Sequence, residues 1–316
     1  MSNKKIITVF GATGAQGGGL VKAICADPNS AFTARAVTRE PDSDKGKALA
    51  ALGAEVVYGD LSDEASVHKA LEGAYGAFFV TFFWAHFNPE QEKAEAALFA
   101  KAAKQAGIQH AIWSTLEDTR ELVPISDNRM PNIHDIYKVP HFDAKGESNR
   151  HFTEAGVPTT FLYCSFYWEN FIYFGLGPKR GPDGKLAITL PIGDSKMAGV
   201  GTDDIGKCAY GIFQNRDQYI GKHVGVAGEH LTGQEMADAF SKALGEPVVY
   251  NKVSADVYRG FGFPGAVELG NMFQIYDEFA APLNTLRSVE TSRQLNPALQ
   301  NFEQWLSKNA AKVPLS

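Results

Sequence analysis

His141 and Lys145 stand four residues apart in a stretch, residues 141–155, whose pattern predicts a helix. That spacing puts both side chains on one helical face, so an imidazole and an ammonium can address one ligand together. The imidazole can donate a proton near neutral pH; the plain alternative is a helix-start histidine touching solvent. A second constellation opens the chain. Residues 6–10 read as a buried strand that breaks into Gly11-Ala12-Thr13-Gly14-Ala15-Gln16-Gly17-Gly18-Gly19, with a helix expected over 20–26. Strand, glycine-rich turn and helix together let backbone N–H groups and the positive helix end approach a pyrophosphate with no Cβ in the way. Glycine-rich turns also simply reverse a chain, so context has to decide.

In dinucleotide folds the residue after the second strand selects the cofactor: an acid for the ribose 2′-OH of NAD, or a base for the 2′-phosphate of NADP. Here Thr38 and Arg39 follow a strand expected over 32–37, with Lys45 and Lys47 close behind. A guanidinium grips phosphate through planar, charge-assisted hydrogen bonds, which favours NADP(H). Glu40 conflicts with this, and a solvated loop arginine is the other reading. Asp60, followed by Leu61, closes a third strand (54–58) and is placed either to accept from the adenine amino group or to cap a turn. Thr81, Phe82 and Phe83 end a fourth strand (77–82) and would line the nicotinamide-ribose side, core aromatics being the alternative. After a sixth strand (159–163) comes Ser165-Phe166-Tyr167-Trp168, whose rings could stack on a flat ligand or fill a core.

These residues need a scaffold. Strand and helix signals alternate, with helices over 45–52, 64–71, 90–105 and 141–155 and a fifth strand over 111–114. Such alternation marks βαβ units and a parallel sheet. Residues 116–140 are irregular and polar, and a loop that long inside a compact domain is more often functional than not. Beyond residue 165 the alternation fails; helices over 203–214 and 233–244 mix with short strands near Val224 and Val248. The expectation is an α/β fold, a doubly wound parallel-sheet Rossmann domain over 1–165. A smaller α+β lobe over 166–316 follows, some of its segments packing back on the first domain.

At 316 residues with 44% hydrophobic content the chain can bury a full core, and a formal net charge of −6 argues against a direct nucleic-acid partner. Its three cysteines, Cys25, Cys164 and Cys208, are far apart and suggest neither disulfides nor zinc. His86, His110, His134 and His151 show no metal-ligand spacing with each other or with carboxylates, so no metal is expected. No apolar run approaches the ~18 residues of a membrane span. A cytoplasmic protein is expected, with nuclear presence left open.

With these residues in hand the chain resembles the NmrA-like family of atypical short-chain dehydrogenases, in particular its NADP-sensing branch. The marks are the segment Val9 to Gly18, Val37-Thr38-Arg39, Gly53-Ala54-Glu55-Val56-Val57 with Gly59-Asp60, and His141-Phe142-Asp143-Ala144-Lys145-Gly146-Glu147. Glu169-Asn170 and Gly262-Phe263-Pro264-Gly265-Ala266 complete the set. The resemblance implies NADP(H) as cofactor, Lys145 on the nicotinamide ribose, and cofactor and substrate packed together after the sixth strand, with Phe261, Phe263 and Met272 as a weaker carry-over to the pocket lining. Active short-chain reductases use Tyr-x-x-x-Lys with a serine nearby; this chain has no such pair, only His141-x-x-x-Lys145, and Ser114 lies roughly where the serine would be. The resemblance therefore implies a redox sensor or regulator acting through protein contacts. The alternative is an NADPH-dependent, isoflavone-reductase-like reductase of a small aromatic carbonyl or enol compound, with Lys145 as general acid or base. Relatives of this kind often form dimers, and a regulatory role would act through a protein partner.

Overall fold

The computed structural model describes residues 4–315. They form two compact units. One runs through Asp118 and adds His141–Tyr163 and Thr202–Val224; the other comprises Thr119–Pro140, Cys164–Gly201 and the chain from Gly225 onward.

The first unit holds the expected alternation: β1 (Lys5–Val9), α1 (Ala15–Ala26), β2 (Phe32–Thr38), α2 (Asp44–Ala51), β3 (Glu55–Tyr58), α3 (Glu64–Leu71), β4 (Gly76–Phe79), α4 (Pro89–Gln105), β5 (His110–Thr115), α5 (Pro140–Glu154) and β6 (Thr159–Tyr163). The sheet runs β3-β2-β1-β4-β5-β6 and ends on the strand His223–Gly225. Every pairing among β1–β6 is parallel. This is the doubly wound α/β arrangement anticipated. Strand order reverses between β1 and β4, where such sheets open a crevice at their C-terminal ends. β4 and β5 are buried along their whole length, as central parallel strands flanked by helices must be.

Two boundaries differ from expectation, for separate reasons. α1 begins at Ala15 rather than at residue 20, although glycine is a poor helix former. Packing holds it: a Cβ on Gly206 of the helix Thr202–Gln214 would stand 2.1 Å from the Leu20 nitrogen, so the two helix backbones touch. Lys22 and Asp203 pair at the rim, 3.0 Å apart. β4 ends at Phe79 rather than at residue 82, because the chain turns out of the sheet into the 3-10 turn Phe83–Ala85 and Phe87 adopts φ +53°.

The second unit contains two three-stranded sheets. One joins Glu229–Leu231, Met197–Val200 and Phe166–Tyr167; the other joins Val248–Lys252, Leu186–Leu190 and Lys179–Arg180. An aromatic cluster of Phe171, Phe240, Phe302 and Trp305 fills its interior. The irregular segment Thr119–Pro140 belongs here. Buried Lys138 gives its Nζ protons to the carbonyls of Asp127 (2.6 Å) and Met130 (2.8 Å). Asn271, on the helix Ala266–Glu278, donates to the carbonyls of Lys138 (2.6 Å) and Pro131 (3.0 Å). No helix among the described residues is long and apolar enough to cross a membrane.

Candidate functional site

β1 hands the chain to a turn that only glycine can make. Gly11 sits at φ +65° and its amide neighbourhood closes through Gly14 N–H to Gly11 O, 2.9 Å. A Cβ on Gly17 would stand 2.5 Å from the Gly11 oxygen, and one on Gly11 would stand 2.7 Å from Val80. Gly11, Gly14 and Ala15 are exposed, Thr13 is half-buried and Gln16 is buried. The Gly14 cap of α1 makes no side-chain hydrogen bond, and the first turn carries no acid. The helix thus presents its uncapped N–H groups and positive end to solvent, which suits an anion.

Thr38 ends β2 half-buried and Arg39 is exposed just beyond it. Asp60 Oδ1 accepts from the backbone N–H of Ser62 (2.9 Å) and from its hydroxyl (2.8 Å). These two bonds, with a smaller contribution from the Arg39 charge, hold the Asp60 carboxyl below its ordinary range. Asp60 therefore does cap a turn through that oxygen, and half-buried Leu61 follows it.

At the ends of β4 and β5 the structure gathers a cluster around Lys145. Its Nζ, nearly buried on the second turn of α5, donates to Thr81 Oγ1 (2.6 Å) and Thr81 O (3.3 Å) and forms an ion pair with Glu92 Oε1 at 2.9 Å. It also sits 5.0 Å over the Trp113 ring. Thr81 passes its own hydroxyl proton to Glu92 Oε1, 2.5 Å away. The ammonium thus has two acceptors on Thr81 and a carboxylate oxygen of Glu92 beside it. His141, one turn earlier on α5, is 7% exposed and wedged among rings, 4.7 Å from Trp84 and 5.9 Å from Phe83. Phe82 projects outward, 61% exposed.

Glu92 is the residue the motifs did not reveal. It lies on the buried stripe of α4 with Ala96, Phe99 and Ala103 and has no exposed surface. A carboxylate on an apolar helical stripe was the available signal. Its Oε2 faces His86 Nε2 at 3.4 Å, and that nitrogen lies 3.9 Å from Glu95 Oε2. The first separation allows ion-pair attraction but is long for a hydrogen bond, and neither atom has a hydrogen-bond partner. The three ligand-type atoms lie within 4.8 Å of one another. However, His86 Nδ1 accepts the Asn88 N–H at 3.0 Å, which puts the neutral ring's proton on Nε2, facing the carboxylates. A protonated nitrogen is not a metal ligand, so the group reads as a proton-bearing cluster. Burial, with the Glu92 charge adding to it, pushes the Glu95 carboxyl up.

Of the remaining predicted residues, Ser114 is buried in β5, and strand alternation sends it to the face opposite Trp113 and Thr115. Thr115 is the hydroxyl brought to α5, its Oγ1 donating toward Lys145 O (3.1 Å) and toward Asn149 Oδ1 (2.7 Å). Ser165, Phe166 and Tyr167 fall in the second unit. There Ser165 donates to the Val226 carbonyl, and Phe166 packs on Phe171 and Phe273.

A family model, described as the NmrA-like family, matches residues 3–306. The chain belongs to the NmrA-like family. Among curated relatives of this NmrA-like chain is the NmrA-like family domain-containing oxidoreductase malD of Malbranchea aurantiaca. The two are 29% identical over 271 residues, 80% of this chain and 77% of the relative. Two solved structures share the fold. One is NmrA, a negative transcriptional regulator, in complex with NADP (TM-score 0.78, 24% identity, 96% of this chain and 95% of that one). The other is the Citrobacter sp. triphenylmethane reductase complexed with NADP(H) (TM-score 0.72, 20% identity, 97% and 99%).

Proposed function

We propose that this chain binds NADP(H) at the glycine turn and along the C-terminal edge of β1, β4 and β5. In this reading it responds to the cofactor as a redox sensor or regulator, without ordinary short-chain dehydrogenase turnover. The turn suits a pyrophosphate, since Gly11 and Gly17 let the backbone close without striking Val80 or the Gly11 carbonyl and the end of α1 carries neither side-chain cap nor acid. Arg39, exposed beyond β2, would meet the 2′-phosphate; Thr38, Leu61 and the remaining edge of Asp60 would border the adenosine; Thr81, Phe82, Phe83 and Lys145 would border the nicotinamide ribose. When bound, the nicotinamide supplies hydride chemistry or, in a sensor, a report of its own redox state.

One observation carries the regulatory reading: the lysine already donates twice to Thr81 and is paired with buried Glu92, and a ring-packed histidine stands where an active reductase carries tyrosine. A lysine so engaged by the protein is poorly placed to exchange a proton with a substrate. The reductase reading keeps a claim from the oxidoreductase names of relatives such as malD and from the exposed rings of Phe82 and Phe87.

Calorimetry with NADPH and NADH, run with size-exclusion chromatography and hydrogen exchange on free and bound protein, separates the two. A sensor needs different cofactor affinities in two states, so NADPH-selective binding with a change in assembly or protection supports it. Selective binding without such change, followed by turnover in a screen of aromatic carbonyls, supports the reductase. No binding refutes both. A protein partner, a homodimer and a cytoplasmic setting belong to the same proposal.

A further inference from the structure

A wholly buried carboxylate on the core stripe of a helix needs a reason. Burying both members of an ion pair costs several kcal/mol per charge before attraction repays it, and an apolar pair often serves a core as well. Here the pair sits under the edge of the sheet where the preceding reading puts the nicotinamide ribose. We propose that Glu92 is a positioning residue that keeps Lys145 charged and aimed, and so sets the cation met by the cofactor. The inference rests on that reading only for the cofactor; the hold on the charge stands by itself.

The bond lengths assign the division of labour. Glu92 Oε1 and Thr81 Oγ1 hold Nζ at 2.9 and 2.6 Å, whereas the Thr81 carbonyl is 3.3 Å away. The third N–H is the one a ribose hydroxyl would take over, while the carboxylate and hydroxyl keep the ammonium in place. The second oxygen of Glu92 faces the His86 imidazole, itself pinned by the Asn88 N–H. The charged groups near Lys145 are Glu92 and Glu95 from α4, with His86 behind them against both carboxylates and His141 one turn earlier on its own helix. β5 contributes the neutral Trp113 ring and Thr115.

The charge can be read without any ligand. In 15N-lysine-labelled protein, with the Nζ signal assigned by Lys145→Arg, Glu92→Gln should move the ammonium-to-amine transition at least about tenfold lower in proton affinity than wild type, because a buried ammonium without a counter-charge sheds its proton. Glu92→Asp, which keeps the charge, should restore most of it. In parallel, NADPH affinity of Glu92→Gln should fall about tenfold more than that of wild type between about pH 6 and about pH 9, and Glu92→Asp should not. A merely structural Glu92 would weaken binding equally at both. If wild type does not bind NADPH, the cofactor reading falls and the lysine titration still decides the role of Glu92. An unchanged titration in Glu92→Gln, or one that Glu92→Asp fails to rescue, overturns the proposal. Should Glu92→Gln not fold, the double variant Glu92→Gln/Lys145→Met decides: recovery of the fold shows that the unpaired ammonium was the fault, and failure overturns the proposal.

Discussion

His110 should make this protein lose stability in mild acid. The residue has no exposed surface. Its Nε2 meets Thr160 Oγ1 at 2.9 Å, and because that hydroxyl spends its own proton on the Tyr219 carbonyl at 2.8 Å, Nε2 must be the donor. Nδ1 is then the bare nitrogen, buried and without a partner. A second proton there would create an imidazolium with no acceptor, edge-on to Phe213 at 5.1 Å. Burial first, and the Arg216 charge second, push the imidazole down from the ordinary 6.5 to about 4. The unfolded chain takes up this proton near the ordinary value and the folded one does not, so the unfolded state binds more protons inside that window. Stability is full above it and falls as pH drops through it. The gap is worth about 3 kcal/mol at the lower end. Urea unfolding of wild type and His110→Gln at a series of pH values from about 7 to about 4.5 measures it, since glutamine keeps an Nε2 donor and does not titrate. Wild type should lose most of that figure relative to the variant, with unchanged denaturant slopes. Parallel pH profiles would refute the argument, since His151 and His223, both held low chiefly by burial, are common to both proteins.

Other outcomes follow from the site and its supports. Arg39→Ala should cut the preference for NADPH over NADH by about tenfold or more, the worth of a charge-assisted phosphate contact; unchanged discrimination in calorimetry would remove Arg39 from the site. Gly17→Ala places a methyl 2.5 Å from the Gly11 carbonyl, and NADPH binding should weaken by at least about tenfold as the turn shifts, with a stability loss of about 1–3 kcal/mol seen in thermal melts. Asn271→Ala removes both N–H bonds to the Thr119–Pro140 segment, and amide exchange should quicken there by a factor matching about 1–3 kcal/mol. Exchange that stays slow would mean that Lys138 within the segment and Gln274 on the Arg129 carbonyl suffice to pin it.

The sequence discloses the first unit's framework because apolar runs bounded by glycine read as buried parallel strands; β6 (Thr159–Tyr163) and α3 (Glu64–Leu71) match the expected residues. The start of α1 did not read, since three successive glycines have no local reason to be helical and are held by Gly206 across a tertiary contact. The end of β4 did not read either. An apolar run carries no mark of the point where Thr81 leaves the sheet for Glu92 and Lys145. His86, Glu92 and Glu95 belong to no spacing motif; a helix and a tight turn with Phe87 at positive φ bring them together. The histidine of His141-x-x-x-Lys145 was legible as a site residue, but its seat against Trp84 depends on a turn that no short-range pattern announces.

The contact between α1 and the helix Thr202–Gln214 also fixes an order of events. Lys22 and Asp203, which close its rim, are 181 residues apart in the chain. The glycine turn therefore waits for this part of its backing, since the nascent chain must reach residue 214 before α1 has the whole helix Thr202–Gln214 to lie against. Contacts this distant are slow to form and leave surface exposed meanwhile. A premature stop between Gly19 and Thr202 would leave every residue of the glycine motif in place and still deprive that motif of the helix Thr202–Gln214.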